Sequence, residues 1–130
     1  MIGLDTGFFF AILQDNERAV SVWNTLLGDE EAGVVSCLTL FELERLGLKR
    51  GIKWIADILE AIPAVCKIAW IQSPEVLSQA AALSHGLGIP AVDSLILAGF
   101  LSFGAHTIYT VDKHLETYQK KGVKVINLLQ

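Results

Sequence analysis

Met1-Ile-Gly-Leu-Asp5-Thr6 opens the chain: a short apolar run, then one carboxylate, then the apolar stretch Phe8-Phe-Phe-Ala-Ile-Leu13. A strand-sized run that passes into a helix at an acidic residue recurs at Val34-Val-Ser-Cys-Leu-Thr-Leu-Phe-Glu42 and at Thr107-Ile-Tyr-Thr-Val-Asp112. Asp93 sits similarly, opening the apolar helix Ser94-Leu-Ile-Leu-Ala98 after Ile89-Pro90. Working outward, apolar β-branched runs near residues 1–5, 33–37, 66–71, 106–110 and 123–127 read as strands. Helical patterns fill the intervals: Phe8 to Leu13, Glu17 to Leu27, Leu40 to Lys49, Trp54 to Ala61, Pro74 to His85, Ser94 to Phe103 and Lys113 to Lys120. Gly51, Pro63, Gly86, Gly104 and Gly122 supply the stops. Strands alternating with helical connections predict an α/β fold, three-layer α/β/α with a central, mostly parallel five-stranded sheet. No repeat, linker or low-complexity segment divides the chain, so residues 1–130 read as one domain.

The bulk composition narrows the function classes. At 52% hydrophobic and 18% charged, the chain is more apolar than a typical soluble domain, which predicts apolar surface for a partner. The longest apolar stretch, Ser94 to Ala105, falls short of the roughly 18–20 residues of a membrane span. The first residues lack a basic segment and are interrupted by Asp5, so no signal peptide is expected and the location is cytoplasmic. A net charge of −4 removes any global basic field for nonspecific DNA binding, but not a local groove for RNA. Cys37 and Cys66 sit in apolar, strand-like runs and read as reduced thiols. His85, His106 and His114 form no metal-ligand spacing, which argues against zinc.

Each of the four acids has a local explanation. Asp is a preferred helix N-cap, and Thr39-Leu-Phe-Glu42 reads as a capping box in which Glu42 reaches back to the Thr39 N–H. Together they are harder to explain this way. Helix starts that follow parallel strands share one edge of the sheet, where open α/β folds bind ligands. At about 5 Å and an effective dielectric near 20, each like-charge pair costs on the order of 3 kcal/mol. A cap contributes only about 1 kcal/mol, and Ser or Asn caps without the repulsion. A hard divalent cation, Mg²⁺ or Mn²⁺, resolves the conflict, given an oxygen-only donor set. Thr6 and Thr110, each beside an acid, are placed to orient a carboxylate or a bound water. Asp15, Asp29, Glu30, Glu31, Asp57 and Glu60 read as turn or surface residues, and Glu44 projects from another side of the Glu42 helix.

Ile2-Gly-Leu-Asp5-Thr6, Thr39-x-x-Glu42, Pro90-x-x-Asp93 with Leu95-Ile-Leu-Ala98, and Thr110-x-Asp112 follow in this order along the whole chain. In this it resembles the PIN-domain family, and within it the small single-domain VapC-type toxin ribonucleases. The resemblance implies a PIN-like fold and a Mg²⁺-dependent endoribonuclease that leaves 3′-hydroxyl and 5′-phosphate ends. By position, Asp5, Glu42, Asp93 and Asp112 would be the acidic metal ligands and Thr6 and Thr110 the supporting hydroxyls. It also implies a homodimer, and a protein antitoxin whose C-terminal segment lies across the acidic site. Thr6 stands where members often carry Ser or Asn, and Leu115 where many carry an aromatic. Neither departure removes a charged ligand.

Arg45 and Lys49 share the Glu42 face of their helix, and Arg50 and Lys53 extend the cluster. They are candidates for contacts to RNA phosphates; the competing reading is a Glu42–Arg45 pair with cations at a helix C-terminus. Lys113, Lys120, Lys121 and Lys124 read first as a solvated face, and Trp23, Trp54 and Trp70 as core or interface. Phe8, Phe9 and Phe10 are consecutive, so one helix cannot bury all three on one side. Two alternatives stand beside a nuclease. One is a non-catalytic PIN-like interaction or RNA-binding module. The other is a Mg²⁺-dependent phosphoryl-transfer domain, disfavoured because Asp5-Thr6-Gly7 supplies one acid where such domains want two.

Overall fold

A computed structural model describes residues 1–130. Five strands, β1 (Ile2–Leu4), β2 (Gly33–Ser36), β3 (Cys66–Ala69), β4 (Thr107–Thr110) and β5 (Lys124–Asn127), form one sheet in the order β3-β2-β1-β4-β5. All four neighbouring pairs are parallel. The chain builds outward from β1 to β2 and β3, then crosses back to place β4 on the other side of β1. That reversal makes the carboxyl ends of β1 and β4 the switch point of the sheet, where ligand crevices form.

The sheet separates two cores. Ile2, Leu4 and Val35 face α1 (Thr6–Leu13), α2 (Glu17–Leu27), α3 (Cys37–Arg50) and α4 (Trp54–Val65), with Phe8, Phe9, Leu43, Ile55 and Ile62 buried between. Val34, Ala69 and Ile108 face the other way, onto Ile96, Leu97 and Phe100 of α6 (Ala91–Ser102), which packs against α5 (Pro74–Leu87). Adjacent residues of one strand thus serve opposite layers, as the pleat dictates. This is the three-layer α/β/α arrangement. No helix is long and apolar enough to cross a membrane. Phe8 and Phe9 are buried edge-to-face, 5.2 Å apart, while Phe10 is left 37% exposed. Trp23 packs edge-on against Phe9, whereas Trp54 and Trp70 reach the surface.

Several boundaries differ from the sequence expectation, each for a local reason. Pro63 does not end α4: it removes one N–H in the last turn, and the Cys66 amide still closes that turn on the Ile62 carbonyl. α5 passes Gly86 and stops at Gly88, which takes the left-handed conformation at φ +71. After β4 only a 3₁₀ turn, Lys113–Thr117, forms, because Tyr118 turns inward to pack in the core with Leu115. Cys37 opens α3 rather than ending a strand.

Candidate active site

Asp5 ends β1 and caps α1, its Oδ1 accepting the Phe8 amide at 3.0 Å. The Thr110 hydroxyl, at the end of β4, donates to Asp5 Oδ2 at 2.5 Å and accepts the Asp112 amide at 2.8 Å. One threonine therefore ties the two central strand ends together and fixes both acids. Asp112 in turn caps the 3₁₀ turn, Oδ1 accepting the His114 amide at 2.9 Å, with the His114 ring 2.8 Å from the same oxygen.

Glu42 arrives differently from the expected capping box. The N-cap of α3 is Ser36, whose hydroxyl accepts the Leu38 amide. Thr39 and Glu42 consequently lie inside the helix, and Glu42 does not reach back to Thr39. Instead the Thr6 hydroxyl donates to Glu42 Oε1 at 2.6 Å and lies 2.9 Å from the Thr39 hydroxyl. Thr39 is fully buried and belongs to the site. The sequence reading missed it because T-x-x-E also fits a cap; the signal was a small hydroxyl one turn before a site acid. Asp93, in the first turn of α6, is not the cap either, since Pro90 holds that position.

Two glycines permit this crowding. A Cβ at Gly3 would stand 2.7 Å from the Phe100 ring, so glycine makes room for that ring of α6, the helix that carries Asp93, against β1. A Cβ at Gly7 would stand 2.2 Å from Val111 Cγ2, so the segment before Asp112 can close over the start of α1.

The electrostatics record the result. Burial pushes the Asp5 carboxyl up to about 7; the Thr110 and Phe8 bonds counter this, and Asp93 and Asp112 add to it. Burial also raises Asp93 to about 6, reinforced by the neighbouring Asp112 carboxyl and by the charge of Glu42. Partial burial works to raise Asp112, but the His114 amide, Asp93 and the His114 ring outweigh it and hold the group below its usual range. Ligand atoms of Asp93, Asp112 and His114 all lie within 4.8 Å of one another, while Asp5 and Glu42 stand outside that tight trio. The donor set fits a divalent cation: carboxylates raised by burial, and secondarily by one another, regain their charge when a cation enters. His114 modifies the oxygen-only expectation by bringing one imidazole to the edge of the site.

The remaining sequence candidates fall outside. Arg45, Lys49 and Arg50 are exposed further along α3, and no salt bridge joins Arg45 to Glu42. Asp15 and Asp29 take positive φ, as turn residues do, and Glu44 is exposed. Both cysteines are free, and burial pushes the Cys66 thiol up to about 11, so it is inert. A surface cavity of about 610 Å³ along α2 is lined by Asp15, Glu17, Asn24 and Glu30 and shares no residue with the site.

A parallel sheet whose switch point gathers carboxylates from β1, α3, α6 and the end of β4 defines an α/β protein with an acidic, cation-suited site. Its family is more specific. The PIN domain model matches residues 2–121, and the chain belongs to the PIN domain family. It is similar in fold to a chain of a toxin–antitoxin complex from Klebsiella pneumoniae (TM-score 0.73, 16% identity, 98% of each chain covered). It is also similar to a chain of VapBC2 from Rickettsia felis, a complex bound to a promoter DNA fragment (TM-score 0.74, 19% identity, 98% of each chain). A third is FitAcB from Neisseria gonorrhoeae (TM-score 0.69, 24% identity, 99% of each chain). No curated protein matches the chain by sequence.

Proposed function

We propose that this PIN-domain protein is a Mg²⁺-dependent endoribonuclease and the toxin of a toxin–antitoxin pair. The observation that carries the reading is the mutual crowding of Asp5, Asp93 and Asp112 at the switch point, with Glu42 bearing on Asp93. Asp5, Glu42, Asp93 and Asp112 would hold Mg²⁺, with Mn²⁺ as a substitute, and His114 flanks them. When bound, the cation lowers the pKa of an attacking water and stabilises charge on the leaving oxygen of the phosphodiester. Thr110 locks Asp5, and Thr6 orients Glu42, so these acids are set before substrate arrives. Asp5 and the Asp93–Asp112 pair give up protons as the site fills, so cation affinity rises with pH through about 6 to 7. Arg45, Lys49 and Arg50 are exposed cations without acidic partners and are assigned to RNA phosphates flanking the site.

The partner reading rests on two supports. One solved structure of similar fold is a toxin–antitoxin complex, and another is a VapBC2 complex bound to its promoter DNA. The surface also carries an apolar groove of about 360 Å³ between α3 and α4, lined by Leu48, Ile52, Ile55 and Leu59, which suits an amphipathic helix. A homodimer is a further outlet for exposed Phe41, Trp70 and Leu77. Purified protein is expected to cut RNA with Mg²⁺ or Mn²⁺, and calorimetry is expected to show Mn²⁺ binding that Asp5→Asn abolishes. Full cleavage in excess EDTA, or equal heats for both proteins, would sink the mechanism.

A further inference from the structure

Thr39 has no part in the mechanism above, yet its hydroxyl is among the most buried polar groups of the protein. A threonine inside a helix ordinarily returns its hydroxyl to a carbonyl three or four residues back. Thr39 instead meets Thr6, 33 residues away, at 2.9 Å. Counting protons fixes the direction of that contact. Thr6 owns one hydroxyl proton, and a carboxylate oxygen of Glu42 at 2.6 Å is the stronger acceptor, so the proton points there. Thr6 therefore has only a lone pair for Thr39, and Thr39 must be the donor.

We infer that Thr39 is a positioning residue that holds Glu42 in its cation-binding orientation through a one-way chain of hydroxyls, Thr39 to Thr6 to Glu42. The inference rests on the metal-site reading of Glu42. With its lone pair engaged by Thr39, the Thr6 hydroxyl cannot turn to donate elsewhere. Its proton stays on Glu42 Oε1, and the other carboxylate oxygen is left for the site. Charge-assisted hydrogen bonds strengthen one another along such chains. Without Thr39, Thr6 is free to rotate, and Glu42 loses its fixed partner although no ligand has been removed.

The test is a calorimetric Mn²⁺ titration of the full chain. Thr39→Val keeps the shape and removes the donor; it is expected to weaken Mn²⁺ binding about three- to tenfold, at the low end of effects for residues behind metal ligands. Thr39→Ser keeps the donor and is expected to restore binding to within about twofold of the wild type. Glu42→Gln gives the reference loss, and Thr39→Val added to Glu42→Gln is expected to cost nothing more, because Thr39 acts only through Glu42. A structural role would make the two losses multiply, and would shift the melting temperature in EDTA without a Thr39→Ser rescue of affinity. Unchanged binding in Thr39→Val beside a clear loss in Glu42→Gln overturns the positioning role and leaves the metal site standing. Unchanged binding in Glu42→Gln overturns both. Should the valine variant not fold, Thr39→Ala, which avoids the branched side chain, carries the same comparison.

Discussion

The two ends of the same sheet treat their acids in opposite ways. At the amino end, Glu31 lies 3.5 Å from the N-terminal ammonium and 3.8 Å from His106, and its carboxyl is held below the usual range, first by the Ala32 amide and then by those charges. At the carboxyl end, Asp5 and Asp93 are raised to about 7 and about 6 by burial and by neighbouring acids. One end is relaxed. The other is in conflict, and the conflict is built from a capped helix, two threonine bridges and two glycines that let the layers close. A fold that arranges complementary charges at one edge and opposes like charges at the other has a use for the opposition. A cation is the simplest one.

The largest expected effect comes from removing an acid at the crowded end. Asp93→Asn is expected to lower Mg²⁺-dependent RNA cleavage at least about a hundredfold, or roughly 2.7 kcal/mol. Its circular dichroism should match the wild type, since Asp93 caps nothing. Retained cleavage would remove the contrast between the two ends as a guide to function.

That contrast was partly legible beforehand. Asp5 and Asp112 could be placed from the strand-to-helix handovers, because a parallel sheet puts its strand ends on one edge. Glu42, inside α3, and Asp93, on a helix that follows α5 and not a strand, were legible only through the family resemblance. Thr6 and Thr110 were visible as neighbours of acids. Thr39 was not, because its partner depends on how α1 and α3 pack, and T-x-x-E has a simpler local reading. His114 escaped for a related reason: no histidine spacing announces a ring that folds back two residues onto Asp112. Pro63 and Gly86 misled at helix ends, where the last turn tolerates a missing N–H and the nearer glycine need not be the cap.

Asp5→Asn separates stability from function with a sign that can be worked out. Burial raises the folded Asp5 carboxyl to about 7 from its ordinary 3.8, so between these values the folded state binds more protons than the unfolded chain. Stability in EDTA therefore falls as pH rises from about 4 to about 7, and stays reduced above. Asparagine carries no charge to bury. The variant is expected to be about 1–3 kcal/mol more stable than the wild type at pH 8 in EDTA, the gain discounted because an amide cannot accept from both Phe8 and Thr110. Below pH 4 the advantage should vanish. Urea melts at the two pH values measure it, and a variant less stable at pH 8 would contradict the burial argument.

Gly3→Ala attacks the crowding through packing. The new methyl meets the Phe100 ring at 2.7 Å, and α6 must shift away from β1. A cost of about 2 kcal/mol is expected by denaturant titration, typical of overpacking. Mn²⁺ affinity should fall as well, because α6 carries Asp93. An alanine variant of full stability would mean that Phe100 can turn aside, and that glycine is not what brings Asp93 to the site.

The smallest effect belongs to the relaxed end. Glu31 is depressed in the folded state, so its contribution is present above the ordinary glutamate value of 4.5 and is lost as pH falls through the folded value. Its side chain is 37% exposed, so solvent screens both of its pairs. Glu31→Gln is thus expected to cost at most about 0.5 kcal/mol at pH 7, a loss that fades as pH falls and the wild-type carboxyl takes up its proton. The pH trend is the reverse of that for Asp5→Asn, which gains stability as pH rises. About 0.5 M salt should erase the small loss, because exposed pairs are screened at a Debye length of only a few ångströms. RNA cleavage and Mn²⁺ binding should not change at all. If Glu31→Gln instead matched Asp93→Asn in lost activity, the acidic character of the whole surface, rather than the switch point between β1 and β4, would have to carry the chemistry.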